Sequence, residues 1–164
     1  MTTTINASTS SGLVTTPDNS GAIALQNNGT TGLNVSATGQ VTAPLNVCFS
    51  AVFSGAANNT KIIFQTTYVN IGSAYSTSTG DFTAPVAGTY QFSFSGYAQT
   101  NALSITLRLN NNGKAICQPA QDRTASQVVF LTLAVGDIVN IYSNGNQVYG
   151  DSDGYTIFSG RLIQ

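Results

Sequence analysis

Gly72-Ser73-Ala74-Tyr75-Ser76-Thr77-Ser78-Thr79-Gly80-Asp81-Phe82-Thr83-Ala84-Pro85-Val86-Ala87-Gly88-Thr89-Tyr90-Gln91-Phe92 is the stretch that decides the fold. Gly80 and Gly88 permit tight turns, because a residue without a Cβ reaches backbone angles closed to others. Pro85 has no N–H to give to a ladder, so it belongs between strands. Beyond it Tyr90, Phe92 and Phe94 fall on one face of an extended chain, where successive side chains point to opposite sides. The stretch reads as a loop, a turn and then a long strand with one buried face.

The same alternation continues on both sides. Phe49, Ala51 and Phe53 share a face upstream. Leu103, Ile105, Leu107 and Leu109 share one downstream, followed by Asn110-Asn111-Asn112-Gly113, a hairpin turn in which Asn-Gly is expected to supply the positive φ. Val128 to Leu133 is apolar on both faces, as a strand covered on two sides would be. Gly136-Asp137 turns the chain into Ile138–Tyr142, and a last strand runs from about Tyr155 to Ile163. Gly160 within that strand predicts close backbone or aromatic approach. No segment keeps a period of 3.6. Many short strands joined by Gly-rich turns predict an all-β sandwich.

Composition shifts near Pro44. Before it the one charged residue is Asp18, and the chain is Thr, Ser, Asn, Gly and Ala. Short apolar pairs punctuate it: Leu13 with Val14, Ile23 with Leu25, Leu33 with Val35. Turn-formers separate them at Pro17-Asp18-Asn19, Asn27-Asn28-Gly29 and Thr38-Gly39. The spacing predicts short strands too poor in apolar residues to fold alone, which need a partner surface or trimeric wrapping. A low-complexity disordered arm is the other reading of residues 1–44.

Four pieces in register over Leu45 to Gln164 resemble the globular head of complement component 1q, a relative of the tumour-necrosis-factor jelly roll. They are Phe49-Ser50-Ala51, the Tyr75–Phe92 stretch, Leu133-Ala134-Val135-Gly136-Asp137-Ile138-Val139 and Tyr155-Thr156-Ile157-Phe158-Ser159-Gly160-Arg161-Leu162. The resemblance implies a ten-stranded antiparallel jelly-roll sandwich over residues 45–164, preceded by an extended N-terminal β arm. It also implies a tight homotrimer whose work is binding or structure. Tyr75, Phe82, Tyr90, Phe92, Phe94, Val129, Phe130, Tyr142 and Phe158 are expected to build the core and the trimer contact, with Phe130 or Val129 facing another subunit. The arm departs from the family's collagen stalk. Its text resembles segments in structural proteins of tailed bacteriophages.

The composition narrows the chemistry. Charged residues make up 7% of the 164, and there is no Glu, His or Trp. Without His or Glu most acid–base catalysis near neutral pH is lost. Gly150-Asp151-Ser152-Asp153-Gly154 matches the nucleophile-elbow pattern, but an elbow needs a strand-to-helix turn and a histidine base. Asp151 and Asp153 are weak calcium candidates, short of the six to eight oxygens calcium takes. Asp81, Asp122 and Asp137 fall in turns. Tyr142, Tyr149 and Tyr155 flank the acidic loop as core residues or binding anchors. Lys61, Arg108, Lys114, Arg123 and Arg161 are dispersed, and a net charge of −1 gives no attraction for nucleic acid or an anionic membrane. No window approaches the ~20 apolar residues of a membrane span. No signal peptide is seen, so synthesis in a bacterial host cytoplasm is expected. Cys48 and Cys117 are read as two buried free thiols, a disulfide being the other arrangement.

Together the resemblances imply a non-enzymatic trimeric protein of a phage virion, on the capsid exterior. As a decoration or cement protein it would hold the major capsid protein through Leu13, Val14, Ile23, Leu25, Leu33 and Val35. A tail-tip or fibre adhesin, with tail proteins and a host-surface receptor as partners, and a soluble lectin-like protein are the alternatives. No cofactor beyond the calcium candidate is expected.

Overall fold

The computed structural model describes residues 22–27, 29–43 and 46–164, and every regular element among them is a strand. The chain divides into two compact units, the second running Asn46–Gln164. In the first, β1 (Ile23–Asn27), β2 (Thr30–Val35) and β3 (Val41–Thr42) form an antiparallel meander in the order β1-β2-β3. Leu13 and Val14 lie outside the described residues.

The second unit is a sandwich of two antiparallel sheets. One holds β7 (Phe82–Thr83), β9 (Ser104–Leu109), β10 (Asn112–Cys117) and β12 (Ile138–Asn144), in the order β10-β9-β12-β7. The other has seven strands: β4 (Cys48–Val52), β5 (Gly55–Ala57), β6 (Thr66–Ile71), β8 (Gly88–Ala98), β11 (Arg123–Leu133), β13 (Val148–Gly150) and β14 (Ile157–Leu162). Within it β11 and β14 flank β8, and β4 and β6 follow β14. The unit has eleven strands where ten were expected, counting pieces as short as the two-residue β7 and the three-residue β5 and β13.

Aromatic residues from both sheets fill the space between them. On β8 the alternation is complete: Tyr90, Phe92 and Phe94 are buried and Gln91, Ser93 and Ser95 face out. Phe49 stacks on Tyr75 with centroids 4.9 Å apart and meets Phe158 edge-on at 4.8 Å. Phe82 meets Tyr90 and Phe92 at 5.4 and 5.3 Å. Such pairs contribute about 0.5–1.5 kcal/mol each beyond the area they bury. The tyrosines bring hydroxyls inside, and each finds a partner. Tyr75 Oη accepts from the Phe64 amide at 3.0 Å and donates to its carbonyl. Tyr90 Oη donates to the Val86 carbonyl at 2.8 Å. Burial, partly offset by the Phe64 amide, pushes the Tyr75 phenol far above its usual pKa.

The β9–β10 hairpin corrects one expectation. The left-handed residues are Asn110 (φ 49°) and Asn111 (φ 67°), and Asn112 already pairs with Leu109. A two-residue loop of this kind needs positive φ at both central positions, and Asn accepts it. Asn110 is favoured further because its side chain joins the neighbouring hairpin, donating to Asp137 and accepting from the Ile138 amide. Asp137 in turn accepts from the Ala134 amide at 2.8 Å, closing the Gly136 turn. Those bonds hold its carboxyl below the usual range. The Leu-x-x-Gly-Asp-x-Val pattern is therefore a turn-building device.

Gly160 lies in register between Phe49 on β4 and Phe92 on β8. A Cβ there would come within 2.6 Å of the Phe92 ring and 2.7 Å of the Phe49 ring. Both rings are held by the other aromatics, so neither can step aside cheaply. Gly160→Ala should therefore cost about 1–3 kcal/mol, read as a lowered Tm, whereas Gly136→Ala should cost mainly backbone strain.

Candidate subunit interface

The seven-stranded sheet has an inner face of aromatics and an outer face of a different kind. Register sets out two rows across that outer face. Phe130, Gln91, Arg161, Cys48 and Ile71 are successive partners on β11, β8, β14, β4 and β6. Val128, Ser93, Ser159, Ser50 and Val69 form the next row. Large apolar side chains stand at the two flanks, and between them lie Gln91, Arg161 and Cys48 in one row and three serines in the other. Phe130 is 60% exposed and Val128 50%, while Val69 and Ile71 are exposed on the far flank. A shallow trough of about 260 Å³ runs between the flanks, with Cys48, Gln91, Ser93, Ser159 and Arg161 in its lining. Arg161 Nε donates to Gln91 Oε1 at 2.9 Å, tying down the trough's one cation.

The doubly apolar run of β11 is resolved by this register. Val129, Leu131 and Leu133 point inward, Val129 pairing with Phe92 and packing against the core. Val128 and Phe130 point outward. Of the two residues expected to face another subunit, Phe130 stands on the free face and Val129 belongs to the interior. Tyr75, Phe82, Tyr90, Phe92, Phe94 and Phe158 all lie in the core. Tyr142 does not. It sits on the outer face of the four-stranded sheet, with the Arg108 guanidinium 3.6 Å from its ring centroid and its hydroxyl donating to the Asn59 carbonyl. Alternation along β12 explains this, because Val139, Ile141 and Ser143 take the inward positions.

The chemical candidates are not drawn together. Gly150 ends β13 and Asp151–Gly154 follow it in a turn, without the strand-to-helix junction an elbow requires. Asp151 Oδ1 accepts from the Asp153 amide at 3.0 Å, an Asx turn that uses one carboxylate oxygen internally. No three acidic, thiol or imidazole groups cluster among the described residues. Asp151 is partly buried and Asp153 exposed, so the two carboxylates offer three uncommitted oxygens, fewer than the six to eight calcium takes. Cys48 lines the outer trough, whereas Cys117 is buried, and both are free. Burial raises the Cys117 thiol above its usual pKa.

Sequence reading missed one polar cluster. Lys61 Nζ reaches both oxygens of Asp81 at 2.9 Å, and Asn140 Nδ2 donates to the same carboxylate at 2.8 Å. These residues are 20 and 59 positions apart, so no local pattern announces them. Burial acts to raise the Asp81 carboxyl, but the hydrogen bonds from Lys61, Asn140 and Thr79 outweigh it and hold the group below its ordinary value. The cluster ties the loop before β6 to the opposite sheet.

A family model described as the C1q domain matches residues 47–163. The chain belongs to the C1q-domain family. The globular domain of a zebrafish complement 1qA protein is 20% identical, with a TM-score of 0.60 over 73% of this chain and 98% of that one. Murine APRIL is 9% identical, with a TM-score of 0.59 over 72% of this chain and 99% of its own. The Eiger TNF of S. frugiperda is also 9% identical, at 0.60 over 73% and 93%. At these identities the likeness is one of fold. No curated protein matches.

Two predictions follow from this C1q domain's sheets. Phe130→Asp should change assembly with little loss of subunit stability, whereas Val129→Ala should cost about 1–2 kcal/mol with assembly intact; light scattering and thermal melts separate the two. Asp81→Asn should cost about 1 kcal/mol at neutral pH. Because the folded carboxyl titrates below its unfolded value of about 3.9, that advantage is present above pH ~4 and fades as acid protonates the folded group. Melting curves of wild type and Asp81→Asn should therefore converge on acidification.

Proposed function

We propose that this chain is a non-enzymatic homotrimeric structural protein of a tailed-phage virion, most simply a capsid decoration protein. The observation behind the trimer is the outer face of the seven-stranded sheet. Its apolar flanks and serine-lined trough are unlike a solvated surface, and a chain with so few charges gains little protection from self-association. A ridge carrying Phe130 and Val128 on one copy suits the trough of the next. Repetition of that head-to-tail contact around a threefold axis leaves no face over. Interfaces of such obligate kind bury more than ~2,000 Å².

The virion setting rests on the arm. It is a separate β unit joined to the C1q domain, low in charge and Thr/Asn/Gly-rich. Its β1 and β3 are sheet edges, which can pair with exposed strands of a major capsid protein by backbone hydrogen bonding.

A tail-tip adhesin is the second reading, and one feature favours it. Tyr97 stacks on Tyr155 at 5.2 Å and meets Tyr149 at 6.1 Å, at the end of the sheet opposite Val47 and Gln164. A cluster of partly buried tyrosines with Tyr155 exposed, at a pole away from the chain's entry, suits contact with a host-surface receptor.

Quantifying the protein against the major capsid protein in purified virions separates these readings. Hundreds of copies per particle are expected for decoration, and deletion of residues 2–44 should then abolish attachment while leaving a folded trimer. A handful in a multiple of three would move it to the tail, and absence from particles would overturn the virion reading.

A further inference from the structure

The N-terminal meander is amphipathic to a degree its composition hides. Ile23 pairs with Val35, Leu25 with Leu33, and Val35 with Val41. These five apolar residues share one face. Ala24, Gln26, Thr31, Asn34 and Thr42 occupy the other, where Gln26 Nε2 donates to Thr31 Oγ1. Ile23 is 48% exposed, Leu25 49% and Val41 63%, so among the described residues the apolar face is largely open. Contiguous apolar surface of this kind marks a contact site.

We propose that this face packs against the same face of two further copies of the chain, closing a trimeric stem with an apolar interior. The inference rests on the trimer reading above and adds to it a second contact. Two observations favour this occupant over a foreign protein. Residues 22–43 contain no charged side chain, so three copies meet without repulsion. The same lack of charge leaves nothing to complement a charged partner. β3 ends at Thr42 and β4 begins at Cys48, so the meander is tethered to its C1q domain by residues 43–47. Trimeric domains holding three meanders on such short tethers give an effective concentration on the order of millimolar, enough to drive weak apolar contacts.

The inference reassigns Ile23, Leu25, Leu33 and Val35 from capsid contact to subunit packing. Attachment then falls to the backbone edges of β1 and β3 and to the residues preceding them.

Hydrogen exchange on the purified full-length protein, free of capsids, tests this alongside its mass by light scattering. A trimeric mass with protected amides across 23–42 is expected. Leu25→Asp with Leu33→Asp should keep the trimeric mass but speed exchange there at least tenfold, while Ala24→Asp on the polar face should not. Phe130→Asp monomers should lose the protection too. A trimer whose 23–42 amides exchange freely would overturn the stem while leaving the trimer standing. Protection retained in Phe130→Asp monomers would show that the cover comes from the chain itself, and overturn it as well. A monomeric wild type would remove the trimer reading and the stem together.

Discussion

Gly160 has no side chain, and the sandwich is arranged around that fact. It sits between Phe49 and Phe92 in the middle of the seven-stranded sheet, and both rings occupy the space a Cβ would take. Their positions set those of Tyr75, Phe82 and Phe158, which touch them in turn. A close-packed interior transmits such a constraint outward. The Tyr75 hydroxyl then fixes the Phe64 segment, and the Tyr90 hydroxyl fixes the loop at Val86.

The same three central strands produce the outer face. A strand that sends Phe92, Phe94 or Phe158 inward sends Gln91, Ser93, Ser95 or Ser159 outward. Mostly polar residues in the middle and large apolar ones on the flanking β11 and β6 make a trough between ridges. Core and surface are two readings of one alternation. A nearly uncharged chain with such a surface is poorly suited to life as a monomer. That is the physical basis for reading the C1q domain as a self-assembling unit rather than a catalyst.

Much of this was legible beforehand. The inward sets on β4, β8 and β9 followed from period-two alternation, and the aromatic approach at Gly160 followed from a glycine in a strand. Val128 to Leu133 announced two apolar faces, but only the pairing of Val129 with Phe92 decided which residue belonged to which. Tyr142 was misplaced because a tyrosine beside apolar neighbours reads as core, while register put it beside Arg108. The turn at Asn110-Asn111 was misread by two residues, because the bonds that favour Asn110 come from a hairpin 27 residues away. In the arm, apolar pairs were visible, but their union on a single face depended on how β1, β2 and β3 aligned.

The sequence by itself determined the all-β class, the family resemblance and the absence of histidine chemistry, because period, turn residues and composition are local properties of the chain. The tertiary structure alone decided the Lys61–Asp81–Asn140 cluster, the two rows of the outer face and the apolar side of the meander. Each of these depends on register between strands distant in sequence, and a shift of a single residue would turn every side chain to the opposite face.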